Sequence, residues 1–253
     1  MNNRGVSEIM GYIIVFSMVV ATVAIVSTVG VGQIEDVRES EQMNNVEKAF
    51  DLYATNVNDI AFRGAPSRST EMQLDAGQLE IANPVVVSFR GIDADNPAAN
   101  NFSESYEVWP VTFTGPDRNR EVVYAGGAVF RTNRGSGTMV TAPQIVARNG
   151  RVQIPLIHTR SRTAQSLGGG TARIRSEHAR SVLLASDTES TYEQFFFNVS
   201  SARAGIWEDA LDEYEAFDCR LDESGGRNRA VCRVDDPDRL HVVLVQIDVS
   251  LSD

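Results

Sequence analysis

Lysine is almost missing from this chain: Lys48 stands alone among bases that are otherwise all arginine. Cysteine is nearly as scarce. Only Cys219 and Cys232 occur, with no CxxC and no Cys/His spacing that suits zinc. The three histidines, His158, His178 and His241, each sit in a strand-like run away from a second ligand. No GxSxG, P-loop or HExxH is present. These absences argue against an enzyme and against any metal or cofactor. Proline is absent before Pro66, so nothing interrupts a helix up to that point. Charge is absent from Ile9 to Ile34. Acids, by contrast, are plentiful: 34 Asp and Glu against 23 Lys and Arg give a net charge of −11. Such a surface repels a phosphate backbone, which argues against a nucleic-acid partner. An acidic, lysine-poor surface is also expected of a protein kept soluble in concentrated salt, with ordinary acidity and a high-GC codon bias as the alternative.

The uncharged run is longer than the roughly 7–15 residues of a signal-peptide core. It suits a membrane-spanning helix, which needs about 20 residues. Gly11, Ser17, Ala21, Ala24 and Ser27 place small residues through it, and small residues allow helices to pack closely. The amino terminus and Arg4 precede the run, whereas Glu35, Asp36, Arg38, Glu39 and Glu41 follow it. The positive flank stays in the cytoplasm. The expected arrangement is a cytoplasmic N-terminus and an extracellular C-terminal head. Glu8 lies at the membrane edge, where a lone carboxylate is costly, and calls for an amine or arginine partner.

Beyond the run, Met43, Val46, Phe50, Tyr53, Val57 and Ile60 recur in steps of three and four. This is a heptad-like stripe with polar residues on the other face. One helix is therefore expected from about residue 6 to about residue 62, roughly 85 Å long. Residues 6–34 form its transmembrane or assembly half. Residues 35–62 form an amphipathic extension that lies on its own domain. Gly64 and Pro66 end it.

The remainder, 63–253, alternates apolar and polar residues, is rich in Val, Ile, Thr and aromatics, and carries turns of Gly, Asn and Asp. The expected fold is α+β: a long N-terminal helix packed on a mostly antiparallel, β-rich head. "VYAGGAVF" reads as a hairpin through Gly126-Gly127. "GSGT" (135–138) reads as a turn, and "SRTAQSLGGGT" as a flexible loop. One helix is expected near 201–217, with Ser201 as N-cap and Ile206, Trp207, Ala210, Leu211 and Tyr214 inward. "RLHVVLVQIDVSL" reads as a central last strand.

Cys219 and Cys232 flank a turn at Ser224-Gly225-Gly226. Two strands meeting there bring the thiols together, and outside the cell they are expected as a disulfide worth roughly 3 kcal/mol. Two N-glycosylation sequons occur, at Asn101 and Asn198. The first follows a polar loop. The second abuts "FFF" and is expected to be partly buried. The carboxylates of 208–215 span several helix faces and read as a solvated surface.

At the N-terminus, "NRG-VSEIMGYIIVF" resembles the class III signal peptide of archaeal, especially haloarchaeal, type IV pilin-like proteins. The resemblance covers about the first 30 residues. It implies a leader over 1–5, with Arg4 as its charge, Gly5 before the cut and Val6 as the new amino terminus. The apolar segment is then retained. It also implies Glu8, Gly11, Ser17, Ala21 and Ala24 as parts of an assembly helix. The implied partners are the membrane, a prepilin peptidase, the pilus assembly machinery, and copies of this chain or other pilin-like subunits. The implied function is structural: a subunit stored in the membrane, then assembled into a surface filament for adhesion or a related role. A non-polymerising, membrane-anchored extracellular binding module is the alternative. An anchored extracytoplasmic enzyme is a third.

Overall fold

A computed structural model describes the backbone of residues 4–188, 191–224, 226 and 228–253, and their side chains except at 4–9, 28–36 and 99–100. The chain divides into two compact units, Met1–Asn44 and Asn45–Asp253. The fold is α+β, with an N-terminal apolar helix and a mostly β, largely antiparallel head.

The proline-free start of the chain forms one helix, α1 (Arg4–Arg63). The stripe read from the sequence is its buried face. Val46, Phe50, Tyr53, Val57 and Ile60 are all 2% exposed or less. Spacing of three and four puts them on one side of a 3.6-residue turn. Tyr53 meets the ring of Tyr124 edge-on at 4.9 Å, and its hydroxyl accepts a hydrogen bond from Ser176 Oγ at 3.3 Å. Polar bonds flank the stripe. Arg131 pairs with Glu47 at 3.3 Å, Thr141 Oγ1 donates to Asp51 Oδ1 at 2.6 Å, and Asn56 Nδ2 donates to Thr70 Oγ1 at 2.9 Å. The helix stops where Gly64 takes φ +74°, a conformation glycine adopts without a Cβ penalty. There the Ala65 N–H closes onto the Asp59 carbonyl at 3.2 Å.

In chain order, β1 (Ser67–Gln73), β2 (Gln78–Ile81) and β3 (Val85–Ile92) lead to a short α2 (Pro97–Asn100). Then come β4 (Phe102–Val108), β5 (Val111–Thr114), β6 (Arg120–Ala125), β7 (Ala128–Asn133) and β8 (Ser136–Thr141). They are followed by β9 (Val146–Arg148), β10 (Arg151–Arg160), β11 (Gln165–Gly168), β12 (Thr171–Asp187) and β13 (Gln194–Ser200). Last are α3 (Ala204–Asp212), β14 (Asp218–Asp222), β15 (Arg229–Asp235) and β16 (Arg239–Ser252). Three sheets result, ordered β1-β12-β16-β10-β9, β11-β2-β5-β6-β7-β8 and β14-β15-β13-β3-β4. β16 is central, as its apolar run implies, and pairs antiparallel with β12 and parallel with β10. The core gathers Phe89, Phe195, Phe197, Phe130, Trp207 and Cys232. Phe89 and Phe197 stack at 5.3 Å, and Phe130 meets Trp207 edge-on at 5.1 Å.

Three local expectations change. The helix expected near 201–217 spans only Ala204–Asp212. Ser201 is not its cap, because Ser201 Oγ accepts the Arg203 N–H at 3.1 Å in a preceding turn. At the other end the chain leaves the helix to bury Phe217, through turn bonds from Tyr214 to Leu211 and from Phe217 to Tyr214. The stretch read as a flexible loop contains β11, pinned where Gln165 Oε1 accepts the Leu251 N–H at 2.8 Å. Within "GSGT", only Gly135 turns the chain, at φ +84°, and β8 begins at Ser136.

Candidate functional site: the apolar half of the long helix

Every side chain from Met10 to Ser27 is exposed. Tyr12 is 74% exposed, Met18 68% and Val26 69%. A helix that is apolar all round has no face suited to water and favours an apolar medium. By length and composition, Met10–Ser27 suits a membrane anchor or a signal sequence. Its one described threonine fits such a medium. Thr22 Oγ1 donates back to the Met18 and Val19 carbonyls, at 2.7 and 2.9 Å, and so needs no partner from outside.

Helical spacing sorts the small residues. At roughly 100° per residue, Ser17, Ala21 and Ala24 fall within about 60° of one another. Gly11 stands about a third of a turn away from Ser17, with open space where a Cβ would lie. The structure thus brings three of the five small residues onto one face, with Gly11 and Ser27 to either side of it. Arg4, Gly5, Val6 and Glu8 lie on the helical backbone, but their side chains fall outside the described residues.

The cysteines are joined. Cys219 and Cys232 oppose each other directly on β14 and β15, with Cα atoms 4.0 Å apart, and form a disulfide. The sequons part company. Asn101 is exposed ahead of β4, and its Oδ1 accepts the Asp93 N–H at 2.7 Å. Asn198 lies within β13 between β15 and β3, with Nδ2 3.4 Å from Ser88 Oγ and a buried carbonyl oxygen.

The histidines stay apart. His158 Nε2 donates to the Glu107 carbonyl at 3.0 Å, and burial pushes its pKa below the usual imidazole value. His178 bonds Ser181, and His241 bonds Ser186, each at 3.0 Å. Among the described residues, no three of His, Cys, Asp and Glu gather as a metal site. Two surfaces of the head carried no sequence signal: an arginine row on β9, β10 and β16, and a groove between β8 and α3. Each is assembled by strand register or packing across the head.

No solved structure matches this chain. An uncharacterized protein of Archaeoglobus fulgidus is similar to it, 29% identical over 99 residues, which cover 38% of this chain and 32% of that protein. The chain thus matches about a third of the length of that relative. The model of a family of unknown function, DUF7289, matches residues 4–250. The chain belongs to this family.

Proposed function

We propose that this protein is a pilin-like structural subunit, held in the membrane by α1 and then assembled through the same helix into a surface filament. The observation that carries the reading is the exposure of every side chain from Met10 to Ser27 on a helix whose later part is buried by its own head. Lipid covers such a segment in a stored monomer. Out of lipid, the equivalent segments of other copies or of other pilin-like subunits offer the apolar surface to cover it. The class III signal resemblance around Arg4, Gly5 and Val6 supports the same reading, as does the disulfide, which persists in oxidising compartments. In this reading a prepilin peptidase cuts after Gly5, the amino terminus faces the cytoplasm, and the head lies outside.

Mass spectrometry of the mature protein tests it. The expected N-terminus is Val6, and Gly5→Leu blocks the cut. Retention of Met1 in the mature protein overturns the filament reading and leaves an anchored binding module.

A further inference from the structure

Arg148 opposes Arg151 across β9 and β10, and Arg151 opposes Arg239 across β10 and β16. Directly opposed residues share a face of the sheet. The neighbours one step along, Ala147, Val152 and Leu240, are buried at 3%, 0% and 0%. The three arginines therefore project together from the outer face, and all three are exposed. Like charges placed opposite each other destabilise a sheet. Among the described residues, none of the three guanidinium groups forms an ion pair, although Asp238 lies close by, against Gly150.

The same head carries a matching surface. A groove of about 360 Å³ runs between β8 and α3. Met139, Ile206, Ala210 and Tyr214 line it, together with Asp209 and Glu213. β8 is an edge strand, paired only with β7. Asp209 and Glu213, the C-cap of α3 and itself in helical conformation, are four residues apart, hence on one side of the helix end, and both are exposed. Burial first, and then the charges of Asp209 and Asp212, raise the pKa of nearby Glu208. The groove suits arginine: an apolar wall for the aliphatic stem, a tyrosine ring, and carboxylates for the planar guanidinium fork.

We propose that the row Arg148–Arg151–Arg239 of one molecule docks on the β8–α3 groove of a second copy. Local charge complementarity argues for this occupant: a second copy carries the carboxylates that the row lacks, beside an apolar wall for the arginine stems. Row and groove are different patches, so the contact propagates from copy to copy, as an open assembly requires. The inference rests on the filament reading only for bringing heads side by side.

The test uses full-length chains in detergent, one tagged and one untagged, with co-capture as the readout. One variant carries Arg148→Glu, Arg151→Glu and Arg239→Glu; the other carries Asp209→Arg and Glu213→Arg. Each variant with itself is expected to lose capture about tenfold, because like charges then meet. Mixing the two variants restores it, because the reversed row meets the reversed groove. A single cooperative urea unfolding transition in each variant shows that both fold. Self-capture equal to wild type, no recovery on mixing, or no capture by wild type each overturns the proposal. A chain that retains Met1 fails the filament reading, yet the mixing result still decides this contact.

Discussion

His158 stands on β10, its ring centroid 5.7 Å from that of Tyr106. In the structure its Nε2 is tied to the Glu107 carbonyl, and its Nδ1 is buried with no hydrogen-bond partner among the described residues. Burial is the main cause of its lowered pKa, and the charges of Arg160 and Arg180 add to it, against Asp248. The sign follows. The unfolded chain holds the proton more tightly than the folded one, so this group's stability contribution is fully present above about pH 6.5. It is lost as pH falls from there through the folded-state pKa. The urea midpoint of the wild type is expected to drop more steeply from pH 7 toward pH 5 than that of His158→Gln, which keeps a donor for Glu107. Parallel pH profiles of the two proteins would refute this. The cysteines were legible because a short turn between two strand-like runs left one plausible meeting point. The arginine row was not, because Arg148 and Arg239 lie far apart in sequence and only strand register aligns them.

At the scale of elements, periodicity was the readable signal. The α1 stripe was legible because a three-four repeat over many turns has one physical solution, a helix with one buried face. Phe50 is 0% exposed within that stripe, whereas Leu52 on the same helix is 54% exposed. Phe50→Ala is expected to cost about 3–5 kcal/mol through lost burial and a residual cavity. Leu52→Ala is expected to stay within about 0.5 kcal/mol. Urea denaturation of the two variants decides it, and similar midpoints would mean that the stripe does not hold the helix to the head. Shorter elements were less legible. β11 lacks apolar alternation and exists because β2 pairs with it and Gln165 bonds Leu251. α3 ends early because Phe217 reaches the core. Both outcomes depend on partners distant in sequence. The order of strands in the three sheets was likewise invisible, including the parallel pairing of β10 with β16.

At the scale of the whole molecule, the apolar half of α1 serves two media in the proposed filament reading, lipid and other helices, and these make different demands. Lipid asks only for apolar surface; leucine meets that demand at least as well as alanine. Helix packing asks for small side chains that let backbones approach. Ser17, Ala21 and Ala24 share a face, so a larger residue there separates the two demands. Ala21→Leu is expected to leave membrane retention unchanged, because it adds apolar surface without charge. The same change is expected to reduce the yield of sheared surface filaments severalfold, because it keeps neighbouring helices apart. Val26→Leu, a substitution off that face, serves as the control and is expected to change neither quantity. Fractionation of membranes and of sheared filaments from the same cells measures both at once. Loss of membrane retention in Ala21→Leu would mean that the substitution perturbs insertion itself. Unchanged filament yield in Ala21→Leu would remove the small-residue face as the packing surface and move the search to the rest of the helix.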